Sequence, residues 1–389
     1  MEEGRKFITL GEVASFSRGL TFAKGDVASS SSKRVLRSNN IDLETSSLNF
    51  DDVACLKEEF LIPQEKKLRK NDIFICMSNG STQHLGKVAF ISENIDYAFG
   101  GFMGAIHPNP LLVYPKYVYF SCLSLKYRRF LASIFNGINI NNLKWSDLSK
   151  YQIPIPPIPE QERIVAELDL LTDIIGKQKM QLKELDTLAS SIFYDMFGNP
   201  IENEKEWGVK KLGDVGIIVA GGTPSTKDAS NWNGDINWIT PAEMGVQLYY
   251  GETERKITAK AAKRLTLMPT GTVLLSTRAP IGKLAITSVP MCCNQGFKNI
   301  ICGSCINNIY LYYFLMLTMD KVKALGRGAT FKEVSKRDIE KYSVTLPPLS
   351  LQQSFAEKIE AIERQKANIN ASIAETQKLF DYTMDKYFG

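Results

Sequence analysis

The sequence predicts an α+β fold: two mixed α/β domains separated by two long antiparallel coiled-coil helices, with a pseudo-twofold internal repeat. First, the run YQIPIPPIPEQERI from Tyr151 recurs as YSVTLPPLSLQQSF from Tyr342, 191 residues further on (342 − 151). Second, each run opens a segment whose apolar residues alternate between spacings of four and three, which is typical of a coiled-coil helix. Third, short β-rich runs bounded by Asn, Gly, Ser and Thr occupy the regions before these helices.

Length and composition indicate a folded chain that is neither secreted nor membrane-spanning. A chain of 389 residues suggests two or three domains, and 44% hydrophobic with 23% charged residues is typical of a folded protein. The sequence has no apolar run of about 18 residues and begins with acidic residues, which argues against a membrane span and a secretory signal. Its seven cysteines follow no disulfide framework, as expected of free thiols in a reducing compartment. We therefore expect a cytoplasmic protein.

Positive charge is concentrated outside the two helical segments. Residues 160–198 carry four basic and eight acidic side chains, and residues 350–389 carry five basic and six acidic ones. Because the whole chain has a net charge of +5 and these segments together carry −5, the remainder carries +10. This distribution is expected if the globular regions contact a polyanion.

The repeat extends along the chain, so the sequence predicts two copies of one unit, each a globular part followed by a long helix. The offset falls from 202 (212 − 10) to 191, which indicates that the copies differ in loop length. Each copy also has one aromatic-rich helical stretch, near residues 117–130 and 309–325. Further matching runs are Leu10-Gly11-Glu12-Val13 with Leu212-Gly213-Asp214-Val215, Leu85-Gly86-Lys87-Val88-Ala89 with Ile281-Gly282-Lys283-Leu284-Ala285, Gly101-Phe102 with Gly296-Phe297, and Tyr117-Val118-Tyr119-Phe120 with Tyr310-Leu311-Tyr312-Tyr313.

Each long helix has a heptad seam with one polar interruption, Gln178 or Lys366, and such residues usually fix the register of a coiled coil. At ~1.5 Å per residue each helix is a rod of roughly 57 Å, too long to lie inside a small domain. The alternative is two unrelated surface helices. Phe193, Tyr194 and Tyr382 lie outside the seam as candidate contacts for partner helices, with ordinary bundle packing as the alternative. The seam residues are Ile164, Leu168, Leu171, Ile175, Gln178, Leu182, Leu185, Ala189, Ile192 and Met196, then Phe355, Ile359, Ile362, Lys366, Ile369, Ile373, Thr376, Phe380, Thr383 and Tyr387.

The sequence offers little catalytic machinery. It contains no phosphate loop, no Gly-x-Gly-x-x-Gly helix start and no His-Glu-x-x-His motif. With only His84 and His107, histidine-based acid–base catalysis has few candidates. Cys302-Gly303-Ser304-Cys305 with Cys292-Cys293 could supply four thiolates to zinc, but the matching residues 99–107 contain no cysteine. We therefore predict buried thiols, no metal site and no catalysis by this chain.

Polar loops at corresponding places in the two copies predict a DNA-reading surface. Arg, Asn and Gln side chains can form bidentate contacts with base edges in the major groove, while Lys, Ser and Thr fix register on phosphates. The alternative is that these residues simply form turns. The candidate DNA-binding residues are Arg37, Ser38, Asn39, Ser78, Asn79, Ser81, Gln83, Lys87, Asn139, Asn141, Asn142 and Lys144 in the first copy, and Thr240, Glu243, Ser276, Thr277, Arg278, Lys283, Asn294, Gln295, Lys298, Arg327, Thr330 and Lys332 in the second.

Short motifs open each copy and start each long helix. They are Leu10-Gly11-Glu12 and Leu212-Gly213-Asp214, the runs 155–161 and 346–352, residues 278–283 of the second copy, and Phe197-Gly198-Asn199-Pro200 after the first helix. In this tandem order the chain resembles, over essentially its whole length, the specificity subunit of type I restriction–modification enzymes. One departure is Ser78-Asn79-Gly80-Ser81, where the second copy has Ser276-Thr277-Arg278.

The resemblance implies an N-terminal target-recognition domain (residues 1–157), a central conserved helix (158–198), a linker (199–209), a C-terminal target-recognition domain (210–348) and a C-terminal conserved helix (349–389). It implies a non-catalytic subunit in which each domain reads one half of a bipartite site in double-stranded DNA and the helices set the spacer. Two methyltransferase subunits and restriction/translocase subunits are the expected partners, with no membrane. We expect no cofactor on this chain, and S-adenosylmethionine, ATP and magnesium on the partners. The alternatives are a coiled-coil scaffold without a DNA role and a methyltransferase-type enzyme without a recognisable motif.

Overall fold

The computed structural model describes residues 6–135, 142–327 and 332–389, which form two compact units. Unit 1 consists of Met1–Gln178 with Ala371–Gly389, and unit 2 consists of Lys179–Asn370. Each unit therefore contains one globular part and about half of each long helix. Among the helices of the described residues, none is long and apolar enough to span a bilayer.

The globular part of unit 1 mixes short helices with strands, as predicted. The aromatic-rich stretch forms two helices rather than one, because the chain turns after residue 121. The helices are α1 (Leu10–Val13), α2 (Pro115–Ser121), α3 (Leu125–Phe135) and α4 (Trp145–Leu148), followed by the start of α5 (Ile158–Phe197). The strands are β1 (Phe7–Thr9), β2 (Ala14–Arg18), β3 (Val27–Ala28), β4 (Lys33–Leu36), β5 (Ala54–Leu56), β6 (Ile73–Cys76), β7 (Val88–Phe90), β8 (Tyr97–Phe99), β9 (Met103–Pro108) and β10 (Gln152–Pro154).

Two four-stranded sheets and a two-stranded ribbon organise unit 1. The sheet β2-β9-β6-β7 is antiparallel, whereas β3-β5-β4-β8 contains one parallel pair, β4 with β8. Every residue of β6 is buried, which is why this strand reads as a continuous apolar run. The ribbon pairs β1 with β10, so the start of the globular part lies beside the strand that leads into α5.

Unit 2 repeats this plan. Its aromatic-rich stretch also forms two helices, Asn308–Leu317 and Met319–Ala324. The helices are α6 (Leu212–Val215), α7 (Ala259–Ala262), α8 (Asn308–Leu317), α9 (Met319–Ala324), α10 (Lys336–Glu340) and α11 (Leu349–Phe388). The strands are β11 (Val209–Lys211), β12 (Gly216–Ala220), β13 (Trp232–Ile239), β14 (Tyr249–Tyr250), β15 (Lys256–Ile257), β16 (Val273–Leu275), β17 (Leu284–Thr287), β18 (Met291–Cys293), β19 (Lys298–Cys302) and β20 (Ser343–Thr345).

Most strand pairings of unit 1 recur in unit 2, although β3 has no counterpart in the three-stranded sheet β15-β13-β18. The order β12-β19-β16-β17 reproduces β2-β9-β6-β7, with β14 added at the edge. β13 pairs with β18 in parallel, as β4 does with β8, and the ribbon β11-β20 matches β1-β10. The predicted repeat is thus present in the strand pairing of each unit.

The predicted coiled-coil helices are α5 and α11, each of 40 residues. In unit 1 their segments run antiparallel, since Arg163 Nη2 donates to Tyr387 Oη at 2.9 Å and Gln178 Nε2 donates to Ser372 Oγ at 2.7 Å. In unit 2 Lys366 Nζ lies 2.9 Å from Asp186 Oδ1. Every predicted seam residue is buried or half-buried.

Phe193, a candidate contact for partner helices, instead follows the alternative of packing inside the protein. Its ring is fully buried in unit 2, stacked on Tyr310 at 5.6 Å between ring centroids and edge-on to Phe355 at 5.5 Å. The globular part of the unit covers this face of α5, so Phe193 belongs to the core. Tyr194 and Tyr382 are exposed.

A buried glutamine explains the run that occurs twice. Gln161 Oε1 accepts the backbone N–H of Tyr114 at 2.8 Å, and its Nε2 donates to the carbonyl of the first proline in the preceding Pro-Pro pair. Gln352 makes the same two bonds in unit 2, with the N–H of Asn307 at 2.8 Å and the equivalent proline carbonyl. Each glutamine therefore ties the start of the long helix to the start of α2 or α8, at backbone groups that would otherwise be buried unpaired.

Candidate nucleic-acid interface

In unit 1 the loops that follow β2, β4 and β6 and the turn before β9 surround one cleft of about 860 Å³. Five predicted residues line it, Arg37, Ser38 and Asn39 after β4 and Ser78 and Asn79 after β6. The structure thus brings together two loops that the sequence alone leaves 40 residues apart. The remaining lining residues are Leu20, Thr21, Phe22, Asp52, Gly80, Gly100, Gly101, Phe102 and Met103.

The loop after β4 is held from inside. Asn40 is fully buried, and its Oδ1 accepts the N–H of Arg37 at 2.8 Å while its Nδ2 donates to the carbonyl of Asp52 at 3.0 Å. The exposed Arg37 guanidinium lies 3.0 Å from the Asp52 carboxylate, to which Asn39 also donates. Because exposed ion pairs contribute little to stability, Arg37 can exchange this partner for a ligand at low cost.

The repeated Gly-Lys pair supports this loop in both units. Lys87 Nζ donates to the Ile41 carbonyl at 2.8 Å, and Lys283 Nζ donates to the Pro241 and Met244 carbonyls at 2.8 and 2.7 Å. Burial lowers the pKa of Lys87, with the nearby Cys76 and Asp42 groups acting in the opposite direction. These ammonium groups hold the loop by hydrogen bonds to its backbone carbonyls. We therefore propose that the two lysines position the loop rather than contact DNA themselves.

The other predicted residues of unit 1 lie on exposed loops. Ser81 and Gln83 are exposed after β6, and the backbone N–H of Ser81 donates to Asn79 Oδ1 at 3.0 Å. Asn142 is exposed and forms an isolated bridge with Ser78, while Lys144 is exposed immediately before α4. Asn139 and Asn141, with Thr330 of the second copy, lie outside the described residues.

In unit 2 the loop after β13 replaces the buried asparagine with a carboxylate. Glu243 Oε1 accepts the N–H and the hydroxyl of Thr240 at 3.0 and 2.9 Å, and its Oε2 accepts the N–H of Glu254 at 3.0 Å. Asn294 Oδ1 accepts the N–H of Gly296 at 2.8 Å. These side chains shape the loop, which restricts what they can offer to a ligand. Gln295 is exposed, with its Oε1 2.5 Å from the hydroxyl of Thr223.

Ser276 and Thr277 are fully buried. The hydroxyl of Ser276 donates to the Pro280 carbonyl at 2.8 Å and accepts the N–H of Lys283 at 2.8 Å, while the Thr277 hydroxyl donates to the Gly296 carbonyl at 3.3 Å. Their polar groups are used inside the turn, so we narrow their predicted role to positioning Arg278, the exposed residue that follows.

One carboxylate of unit 2 pairs with two of the predicted cationic side chains. Glu333 lies 2.9 Å from Arg278 Nε and 3.2 Å from Lys298 Nζ, and Lys298 is itself buried. Burial acts to raise the pKa of Glu333, but its bonds to Arg278 and Lys298 hold that pKa below its ordinary value. Arg327, which is mostly exposed, lies 3.5 Å from Asp338. These ion pairs thus restrict the orientation of the Arg278 and Arg327 guanidinium groups at the surface. Lys332 is exposed beside Glu333.

Two residues of these regions were not predicted. Phe102 is 71% exposed at the cleft of unit 1, and in unit 2 the exposed Arg255 has its guanidinium carbon 3.9 Å from the ring centre of Trp232 and 5.0 Å from that of Trp238. Stacking on aromatic rings leaves the N–H edges of an arginine available for a ligand. The two tryptophans of β13 were a signal for such a platform.

Phe102 was missed because the sequence repeat misplaces it by one residue. The predicted match is Gly101-Phe102 with Gly296-Phe297, but the backbone pairing differs. The carbonyl of Phe102 accepts the N–H of Met77, and the carbonyl of Gly296 accepts the N–H of Thr277 in the same place. Phe102 is therefore equivalent to Gly296. Phe102 lies in the turn before β9, so its ring is exposed, whereas Phe297, to which the sequence matches it, is fully buried.

The cysteines of the second copy are free thiols, and Cys302 and Cys305 are half-buried rather than buried as predicted. Cys292 and Cys293 are buried in β18, where burial raises their pKa values to about 11 and about 12. Within the described residues, no group of three or more His, Cys, Asp or Glu side chains is arranged to hold a metal ion.

A model of the type I restriction modification DNA specificity domain matches residues 2–185 and 204–377. The MjaIX specificity subunit of Methanocaldococcus jannaschii is 42% identical over 158 residues, 39% of this chain and 37% of that protein. The EcoKI specificity subunit of Escherichia coli is 27% identical over 207 residues, 52% of this chain and 44% of that protein. The matched segments thus span less than half the length of these two relatives. The crystal structure of a type I S subunit from M. genitalium has a similar fold, with a TM-score of 0.60 at 13% identity over 100% of this chain and 98% of that one.

Proposed function

The chain belongs to the family of type I restriction–modification DNA specificity subunits, and from that premise we propose that each unit reads one half of a bipartite site in double-stranded DNA. In this proposal the target-recognition domains are residues 1–157 and 210–348, and the helical segments 158–198 and 349–389 set the unread spacer. The protein would act in the cytoplasm as a subunit without catalytic groups or a cofactor of its own.

The observation that carries the proposal is that polar side chains gather in one cleft of unit 1 and are exposed on equivalent loops of unit 2. Arg37 and Asn39 occupy the cleft of unit 1. In unit 2, Arg278 and Gln295 are exposed on the loops equivalent to the one after β6 and to the turn before β9. These are residue types that form bidentate contacts with base edges. Each is set on a loop whose backbone is fixed by buried or half-buried side chains, which favours a precise fit.

The long helices supply surfaces for protein partners. Large apolar or aromatic side chains that lie off the seam remain exposed, and such groups favour protein–protein contact when they cluster. We propose that they dock two methyltransferase subunits, which would carry S-adenosylmethionine, and that restriction/translocase subunits with ATP and magnesium complete the complex. The exposed residues are Leu170, Met180, Leu188 and Tyr194 on α5, with Leu349, Leu379 and Tyr382 on α11.

Arg278→Ala in the chain assembled with methyltransferase subunits tests the reading role. We expect about tenfold weaker binding to the cognate duplex, since a bidentate base contact contributes ~1–3 kcal/mol of discrimination. Binding to a duplex scrambled in the corresponding half-site should not change. Lys210→Ala, which removes an exposed charge on β11, is the matched control. Affinity is measured by fluorescence anisotropy over a range of salt concentrations.

The alternatives make different predictions in the same preparations. Equal loss of affinity for cognate and random DNA would reduce Arg278 to a phosphate contact. A scaffold without a DNA role would show no salt-dependent DNA binding by the assembled complex. Methyl transfer from labelled S-adenosylmethionine to DNA by the purified chain alone would contradict the absence of catalysis.

A further inference from the structure

We propose that Phe102 is a specificity-determining residue of unit 1, whose ring contacts the 5-methyl group of a thymine in the half-site that this unit reads. The inference rests on the proposed function, because it concerns how one half of the DNA site is recognised. It assigns to the first half-site an apolar contact that unit 2 cannot make at the equivalent position, where Gly296 has no side chain.

The surroundings of Phe102 point to a ligand rather than to solvent. Its ring is 71% exposed at a cleft whose lining includes five polar candidates for DNA contact, among them Arg37, Asn39 and Asn79. A lone exposed apolar residue is ordinary. Here, however, the ring stands among groups that would meet base edges, in a position where an apolar base feature would come within reach.

The backbone holds Phe102 firmly. Its carbonyl accepts the N–H groups of both Met77 and Ser78, at 2.9 and 3.0 Å. The N–H of Met103 donates to the Gly100 carbonyl at 2.8 Å, which closes a tight turn around the phenylalanine. The backbone that carries the ring is thus fixed to the sheet, and little backbone freedom is lost when the ring binds.

The chemistry of the major groove selects the thymine methyl group as the target. Among the base edges exposed there, the thymine methyl is the apolar feature, and phenylalanine is one of the residue types that contact it. Aromatic wedges that unstack bases usually enter from the minor groove. The Arg and Asn side chains beside Phe102 suit the donor and acceptor pattern of the major groove, which favours the methyl contact over a wedge.

The test uses the chain assembled with methyltransferase subunits, after mapping of methylated adenines has defined the target. Each thymine of the target duplex is replaced in turn by deoxyuridine, which lacks the methyl group. We expect one position, in the half-site of unit 1, to lower the affinity of the wild-type complex about fourfold. Phe102→Ala should lower affinity for the unmodified duplex about tenfold, and Phe102→Leu should lower it less. In Phe102→Ala that one deoxyuridine should have no further effect.

The matched control is Leu111→Ala, which removes an exposed apolar side chain past the opposite end of β9 and should not change affinity. The proposal is overturned if Phe102→Ala binds normally, if it loses affinity equally for random DNA, or if the half-site contains no thymine. A rise in 2-aminopurine fluorescence that depends on Phe102 would identify a wedge and also overturn it. Absence of any sequence-specific binding by the wild-type complex would instead refute the proposed function.

Discussion

The two units use the same side chains to join their helices to their strands. They differ in the side chains that their loops expose. In both, a buried glutamine joins the start of the long helix to the globular part, Gln161 in unit 1 and Gln352 in unit 2. In both, a tyrosine hydroxyl donates to a carbonyl of the last strand, Tyr117 at 3.0 Å and Tyr310 at 2.9 Å. Identity between the copies therefore marks the groups that pair buried backbone.

The two units carry different side chains at three equivalent positions on or beside β2, β6 and β9. In unit 1 His107 Nδ1 lies 2.6 Å from the buried Asp72 carboxylate, and its Nε2 lies 2.8 Å from the Ser17 hydroxyl. The strand pairing assigns residues without charge to the same places in unit 2. They are Ile301, Thr272 and Val219. The same backbone thus accommodates either three hydrogen-bonded polar side chains or a mainly apolar set. The condition is that the buried polar groups of each set have hydrogen-bond partners.

The largest expected effect on stability comes from the buried phenylalanine that ends a long helix in each unit. Phe388 packs on Tyr117 and Phe197 packs on Tyr310, both at 4.8 Å between ring centroids, and both phenylalanines are buried. We expect Phe388→Ala and Phe197→Ala each to lower the free energy of unfolding by ~3–5 kcal/mol. Hydrogen exchange should show lost protection in unit 1 for the first variant and in unit 2 for the second.

Tyr382→Ala, at a residue that is 68% exposed on α11, is the control and should change stability by less than ~0.5 kcal/mol. Loss of protection in the same unit for both phenylalanine variants would contradict the comparison. It would show that Phe388 and Phe197 do not each stabilise their own unit.

The next largest effect concerns the paired glutamines. Gln352→Leu leaves the Asn307 N–H and a proline carbonyl without their partner, which should cost about 2 kcal/mol. Gln161→Leu should cost a similar amount in unit 1. Gln353→Leu changes the exposed neighbour and is the control. Chemical denaturation measures all three, and a Gln352→Leu variant as stable as Gln353→Leu would contradict the shared role.

The polar chain of unit 1 gives a smaller effect and sharpens the comparison. His107→Ile should cost ~1–3 kcal/mol, because it leaves the Asp72 carboxylate buried without that partner. Adding Asp72→Thr and Ser17→Val reproduces the chemistry of unit 2 and should recover most of the loss. A triple variant less stable than His107→Ile, measured by thermal denaturation, would show that the two sheets are not interchangeable.

The smallest effect separates positioning from DNA contact. Lys87→Met should cost ~1 kcal/mol of stability, because the bond to the Ile41 carbonyl is lost. It should leave unchanged the slope of log affinity against log salt for DNA binding by the assembled complex. A slope reduced by about 1 would instead mean that Lys87 neutralises a phosphate. Lys144→Met, at an exposed candidate contact, is the comparison variant.

The fold could be predicted because its signals are local and occur twice. Heptad spacing fixes which helix face is buried, and the Pro-Pro-x-x-x-Gln pattern marks where each long helix begins. The site could be predicted only as a set of loops. Ser276 and Thr277 resemble surface polar residues in sequence, but their hydroxyls pair inside the turn. Nothing in the residue types distinguishes the two situations.

Two other errors have different causes, because a sequence shows neither what covers a helix face nor how strands pair. Phe193 lies off the heptad seam, and only the tertiary fold shows that Tyr310 and Phe355 enclose it. Gly101-Phe102 matches Gly296-Phe297 by letter, whereas the sheet pairing shifts the match by one residue. The ring of Phe102 is therefore exposed in the turn before β9, whereas that of Phe297 is fully buried.

Unit 1 is discontinuous in the chain, whereas unit 2 is continuous. During synthesis on a ribosome, residues 179–370 can complete their fold as they emerge. The earlier residues of unit 1 must wait for Met384 and Phe388, which finish their apolar core. We therefore expect unit 2 to complete its fold before unit 1, so that the first half of the nascent chain is the last to become fully protected.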